Sequence, residues 1–374
     1  MLIWGFIKKI QLNKKNLKGV ITINDTKIVG ELPGIECKIN IKSNFSLLKI
    51  FFEDDIGLGK VYRDGDIEID NLTNFFRFII QNEQIFEGSN KNPLNRIKHF
   101  LNKNTKSKSK KNIENHYDLG NDFYSLWLDE TMSYSAAYWS DNKNKCLKEA
   151  QESKYNLYID DLIGNSVLEV GAGWGGFVKS LKQTNPNFSY TGLSLSTQQT
   201  EIAKLYGNVL IQDYRDHNKK YDNVVSIEMF EAVGKEYWDV YFKKIYDNLN
   251  ENGIAQIQVI TIDESRYSNY QNNSDFIKHF IFPGGFLPTK SLFIEHAEKN
   301  GLKEIKTIEF PIDYAQTLKL WHENFDKSYD KIKLLGYDDK FIRIWKMYLS
   351  ICEAGFLEGR ISLLKTNFIK DSNN

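Results

Sequence analysis

The residues best placed to do chemistry are the glycines of Gly171-Ala-Gly173-Trp-Gly175-Gly176, which directly follow the apolar run Ser166-Val-Leu-Glu-Val170 and precede a helical pattern over Phe177 to Gln183. Glycines after a strand let the backbone turn sharply and approach a ligand at the strand's carboxyl end, where open α/β sheets bind. A lone glycine loop fits a dinucleotide equally well. A dinucleotide site expects an acid roughly 20 residues on, to hold a ribose. Here the second strand runs into Gly192-Leu-Ser194-Leu195-Ser-Thr-Gln-Gln199, with no acid. An acid comes later, in Gln212-Asp213-Tyr214, where it can receive an adenine amine, order its loop or cap a turn. Glu231 follows the fourth strand, where an acid either caps a helix start or faces the same cleft. The three Cys and six His are scattered, with neither disulfide-framework nor metal-ligand spacing.

The elements that must position these residues alternate. Strands are expected at Ser166–Val170, Phe188–Gly192, Asn208–Gln212, Asn223–Ile227 and Gly253–Ile260, with helices between. That alternation predicts a parallel sheet covered on both faces. Further helices are expected over roughly 264 to 300 and 314 to 360, the latter with Phe341, Trp345, Tyr348 and Cys352 at helical spacing. Residues 1 to about 90 read as a small α+β unit: β-formers at Gly19–Asn24, alternation at Cys37–Lys42, strand or helix at Phe45–Phe52, a turn-rich stretch at Ile56–Gly59 and Tyr62–Asp66, and a helix over Leu72–Ile80. Residues 91–111 read as a basic linker, with Lys91, Arg96, Lys98, Lys103, Lys106, Lys108, Lys110 and Lys111 and no acid among them. It is a solvated connector or a contact for anionic headgroups.

Lys and Arg number 49, as do Asp and Glu, so global charge gives no reason to expect nucleic acid. The chain of 374 residues has room for two cores. No segment approaches the roughly 20 apolar residues of a spanning helix, and sparse cysteines suit a reducing compartment.

In chain order stand His116-Tyr-Asp-Leu-Gly-Asn-Asp122-Phe-Tyr124, Met132-Ser-Tyr134-Ser135-Ala-Ala-Tyr-Trp139, the glycine loop, Gly192-Leu-Ser-Leu-Ser196, Met229-Phe-Glu231-Ala-Val-Gly234 and Phe280-Ile-Phe-Pro-Gly-Gly285. Together these resemble the cyclopropane-fatty-acyl-phospholipid synthase family, of which mycolic acid cyclopropane synthases are relatives. The resemblance covers roughly residues 112 to 370. It implies an α/β fold: a Rossmann-like class I methyltransferase domain with helical insertions over 112–374, preceded by a small α+β lipid-interacting domain over 1–90. It implies S-adenosylmethionine as cofactor, held by Tyr134, Ser135, Gly171, Gly173, Ser194, Leu195, Gln199, Gln212, Asp213 and Tyr214. It implies a substrate, the cis double bond of an unsaturated phospholipid acyl chain, met at the inner membrane face by a cytoplasmic, peripheral protein; homodimers occur among the resembled enzymes. Glu231 and Tyr314 match positions that surround a bicarbonate ion, the base that closes the ring.

An alkene is a weak nucleophile, so donor and acceptor must be closely aligned. The resulting cation needs exclusion of water and aromatic faces, for which Phe230, Tyr237, Trp238, Phe280 and Phe282 are candidates. Two positions depart from the resembled pattern: Ala136 stands where cyclopropane makers carry Cys, and Ile260 where they carry His. The departures leave open whether the cation closes to a ring or ends as a methylene or methyl branch. Amine N-methylation on a related scaffold is a further alternative.

Overall fold

The computed structural model describes residues 2–86, 119–140, 142 and 144–371. The stretch read as a basic linker and the motif's first residues, His116 to Asp118, lie outside the described residues.

The buried apolar run Val167, Leu168, Val170 becomes an interior strand of a seven-stranded sheet. In chain order the strands and helices are α1 (Leu2–Leu12), β1 (Lys18–Ile23), β2 (Thr26–Val29), β3 (Leu32–Ile41), α2 (Asn44–Arg63), β4 (Ile67–Ile69), α3 (Leu72–Gln81), α4 (Glu83–Phe86), α5 (Gly120–Ser125), α6 (Leu147–Ile159), β5 (Ser166–Val170), α7 (Gly176–Thr184), β6 (Ser189–Ser194), α8 (Thr197–Ala203), β7 (Val209–Ile211), β8 (Tyr221–Ile227), α9 (Trp238–Asp247), β9 (Leu249–Ile262), α10 (Glu264–Tyr270), α11 (Phe276–Phe280), α12 (Lys290–Lys299), β10 (Leu302–Glu309), α13 (Pro311–Lys327), α14 (Tyr329–Leu334), α15 (Asp339–Leu357) and β11 (Ile361–Lys370).

The large sheet has the order β10-β11-β9-β8-β5-β6-β7. Strands β5 to β9 run parallel, as their alternation with helices demands. The strand order reverses at β5, which pairs β6 on one side and β8 on the other, opening a crevice at the carboxyl ends. The wholly parallel sheet expected from the sequence is corrected at one edge: β11 pairs antiparallel with β9, and β10 with β11.

A four-stranded sheet, β2-β1-β3-β4, forms near the amino terminus. The stretch read as turn-rich at Ile56–Gly59 is helical instead, the second half of α2. Its glycines serve close packing: a Cβ on Gly59 would stand 2.6 Å from the Phe276 ring. Helix α2 breaks at Asp54, where φ is 49° and ψ −129°. Beyond the break, Asp55 accepts from the backbone N–H of Phe276 in α11. Polar pairs fix α3 to α15: Thr73 donates to Glu353, and Arg77 and Gln81 both donate to Glu358.

Candidate active site

The glycine loop lies at the crevice. Gly171 and Gly173 hold φ of 90° and 52°, conformations that side chains rarely adopt. A Cβ on Gly171 would meet Met229, whereas one on Gly173 would stand in open space with nothing within 4 Å. That open cradle, beside a cleft also lined by Tyr134, Ser135, Ser194, Leu195, Gln199, Gln212, Asp213 and Tyr214, fits a ligand lying against the backbone. All ten positions expected to hold the cofactor therefore come together.

Their internal contacts are specific. Ser194 Oγ donates to Gln199 Oε1 and accepts the N–H of Ser196, pinning the turn into α8. Asp213 caps the turn after β7 by accepting the N–H of Arg215, and its carboxylate pairs with that guanidinium at 2.6 Å. The turn cap weighed in the sequence is thus present, on the cleft wall. Gln212 is tied through Oε1 to His217.

The sequence reading missed Lys154. This fully buried lysine donates to Ser135 Oγ at 2.6 Å and to Gln151 Oε1 at 2.7 Å. Burial pulls its pKa down to about 8, against the attraction of Glu228, Asp129 and Glu169. A signal existed: Gln151, Lys154 and Tyr158 share one face of α6 with Ala150.

The candidate aromatics divide. Phe230 and Trp238 stack on each other in a core with Phe242 and Phe293, apart from the cleft. Tyr237 lies under Arg215, and Phe280 packs on Phe276 beside Gly59. Of the five, Phe282 alone joins a cluster around Tyr134. Tyr134 lies 6.4 Å from Phe282 and 5.4 Å from Trp321, ring to ring, and its hydroxyl donates to Tyr348 at 2.9 Å. Helices α13 and α15 supply Trp321 and Tyr348, so the inserted segments close this cage.

The acidic residues are arranged differently from the expectation. Tyr314 donates to Glu228 Oε2 at 2.6 Å. Glu228 Oε1 accepts the Ala136 N–H at 2.8 Å and the Gln258 amide at 2.6 Å. Glu228 lines the cleft and had no part in the sequence reading. Glu231 accepts the Ile260 N–H at 2.6 Å, while its Oε2 is buried with no partner among the described residues. Burial and the charge of Glu228 push the Glu231 carboxyl up to about 8. Burial also raises Glu228, against the Tyr314 and Ala136 hydrogen bonds, nearby Lys154 and Gln258. Three donors on Glu228 against one on Glu231 place the negative charge on Glu228. The Ala136 amide and Tyr314 hydroxyl, which would have held a bicarbonate, are engaged by that carboxylate. The residues present do not fit the ion.

A glycine-loop cleft at the switch point of a seven-stranded sheet defines the class I S-adenosylmethionine-dependent methyltransferases. Within that class the chain belongs to the family described as mycolic acid cyclopropane synthetase, whose sequence model matches residues 104–366. The cyclopropane-fatty-acyl-phospholipid synthase of Escherichia coli is 33% identical over 90% of this chain and 88% of its own. The tuberculostearic acid methyltransferase of Mycobacterium tuberculosis is 32% identical over 71% of this chain and 66% of its own. Among solved structures, a cyclopropane synthase of Mycobacterium tuberculosis superposes with a TM-score of 0.65 at 26% identity, covering 70% of this chain and 98% of that one. Coclaurine N-methyltransferase shares the fold at 18% identity, with a TM-score of 0.65 over 83% of this chain and 98% of its own. The chain is thus a methyltransferase of a lipid-modifying family. Among the described residues no helix is long and apolar enough to cross a membrane.

Proposed function

We propose that this chain transfers the methyl group of S-adenosylmethionine to the cis double bond of an unsaturated phospholipid acyl chain and closes the product to a cyclopropane. The observation that carries the reading is the position of Tyr134, which lines the glycine-loop cleft and belongs to the aromatic cage with Phe282, Trp321 and Tyr348. Donor site and apolar site meet at one side chain.

When bound, S-adenosylmethionine supplies an electrophilic methyl group. Gly171 and Gly173 would give it close backbone approach, Ser194, Leu195 and Gln199 would hold its ribose, and Gln212, Asp213 and Tyr214 would frame its adenine. Ser135, held by Lys154, fixes the wall beside Tyr134. The cage excludes water from the cation left on the acyl chain and offers it aromatic faces. Glu228, a carboxylate that lines the cleft, supports this reading by offering a base for the proton lost on ring closure.

A lipid substrate also needs an approach to the bilayer. On α1 and α2, Leu2, Trp4, Phe45, Leu48, Phe51 and Phe52 are exposed, with Trp4 70% and Phe45 62% accessible. Their inner neighbours Ile7 and Ile10 are buried, so this is the outer face of a packed pair. Helix α1 carries exposed Lys8 and Lys9 and no acid, and Lys49 lies over the Phe45 ring. Exposed apolar side chains with Lys8, Lys9 and Lys49 near them, and Glu53 and Asp54 following Phe52, suit a membrane surface met chiefly through its apolar part.

The test uses purified protein, S-adenosylmethionine labelled in its methyl group and vesicles of unsaturated phospholipid, with released acyl chains read by mass spectrometry and proton NMR. Labelled high-field ring protons support cyclopropanation. Label in a methyl or methylene branch keeps the lipid methyltransferase and overturns ring closure. No labelled acyl chain overturns the lipid reading and turns the search to amines.

A further inference from the structure

We propose that Glu228 is this chain's own base: its carboxylate stands in the cradle that would otherwise hold a bicarbonate ion, and it takes the proton that the methylated acyl chain must lose. The inference rests on the lipid methylation proposed above.

The cradle draws its donors from three separate parts of the chain. The Ala136 N–H comes from the segment after α5, the Gln258 amide from β9 and the Tyr314 hydroxyl from α13, all within 2.8 Å of a Glu228 oxygen. This is how a protein builds a site for a small anion with several acceptor lone pairs. Here the anion is covalently part of the chain. Its backbone records the same arrangement: Glu228 has φ of 51°, in the left-handed region that side chains seldom occupy. Such geometry persists where the surroundings over-determine it, and it clusters at functional sites. Glu231 assists by keeping its own proton, which leaves the negative charge on Glu228.

The step balances without another reactant. Once methylated, the acyl chain carries a positive carbon beside the carbon that received the methyl. Glu228 takes one hydrogen of that methyl as a proton. The electron pair of the broken C–H bond forms the bond to the positive carbon and closes the ring. Glu228 is left protonated and releases that proton before the next turnover.

The experiment compares wild type, E228G and E228Q on unsaturated phospholipid vesicles with labelled S-adenosylmethionine, in buffer stripped of carbon dioxide and again with added bicarbonate. Glycine is at home at this φ, and S-adenosylhomocysteine binding by calorimetry checks that each variant is folded. Wild type is expected to turn over equally in both buffers. E228G is expected to lose about a hundredfold in stripped buffer and to recover about tenfold or more with bicarbonate, as the ion enters the vacated cradle. E228Q, which fills the cradle without a base, is expected to stay inactive in both. A wild type that needs bicarbonate, an E228G as fast as wild type in stripped buffer, or an inactive E228G that bicarbonate does not rescue overturns the assignment alone. A wild type that labels no acyl chain in either buffer overturns the lipid reading, and the assignment with it.

Discussion

The ammonium of Lys154 donates to the hydroxyl of Ser135 at 2.6 Å from a position with no exposure to water. A buried lysine costs stability unless its donors are used, so the contact fixes Ser135 on the cleft wall. Lys154→Met removes the donors and keeps the bulk. Its dissociation constant for S-adenosylhomocysteine is expected to rise about tenfold, close to 1.4 kcal/mol, read by isothermal calorimetry. An unchanged affinity would show that the Ser135 wall does not touch the ligand.

Gly173 offers a cleaner probe of the cradle, because an added methyl there meets nothing in the protein itself. Gly173→Ala is expected to cost about 1 kcal/mol of stability for its left-handed backbone while weakening S-adenosylmethionine binding at least about tenfold. Thermal unfolding and calorimetry on one preparation separate the two effects. Equal binding by both proteins would place the ligand elsewhere.

Glu231 sets a pH dependence whose sign follows from its proton. Its carboxyl titrates at about 8 in the folded chain, against an ordinary 4.5. Between those values the folded state binds more protons than the unfolded one, so this group's stabilising contribution falls as pH rises from 4.5 to 8. Glu231→Gln keeps an acceptor for the Ile260 N–H and removes the titration. Urea unfolding across that range is expected to show wild type losing stability relative to the variant with rising pH. Parallel curves would contradict the shift.

The aromatic tips of α2 predict a separable membrane effect. Phe51 and Phe52 are 57% and 60% exposed. Changing both to Ser is expected to lower sedimentation with anionic phospholipid vesicles about tenfold or more, with S-adenosylhomocysteine affinity unchanged. Binding that survives the double change would move the contact off this face.

The five parallel strands were legible because runs rich in β-formers alternate with helical patterns, although β9 extends to 14 residues and buries Gln256 and Gln258. The antiparallel pair β10 and β11 was not: Lys303, Glu304, Lys306 and Glu309 make the edge strand read as surface. The second half of α2 was misread because Gly57 and Gly59 signal turns locally, while contact with Phe276 is a tertiary demand. The ten positions expected to hold the cofactor line one cleft. Glu228 went unread because Ile227-Glu228-Met229 looks like an ordinary strand end, and its donors are 30 to 92 residues away. Lys154 was overlooked because a single lysine on a helix is usually solvated. Only its three-dimensional partners distinguish it.

Helix α15 carries Tyr348 into the cage; the same helix receives Thr73 through Glu353, and Glu358, which caps its carboxyl end, receives Arg77 and Gln81. Arg343, on its first turns, donates to the backbone oxygens of Tyr62 and Ile67. The amino-terminal region is therefore not an appendage that protein engineers can trim or exchange as a cassette. Cutting it away removes these partners from the helix that holds Tyr348 against Tyr134, and a graft from a relative would have to supply equivalent partners for α15.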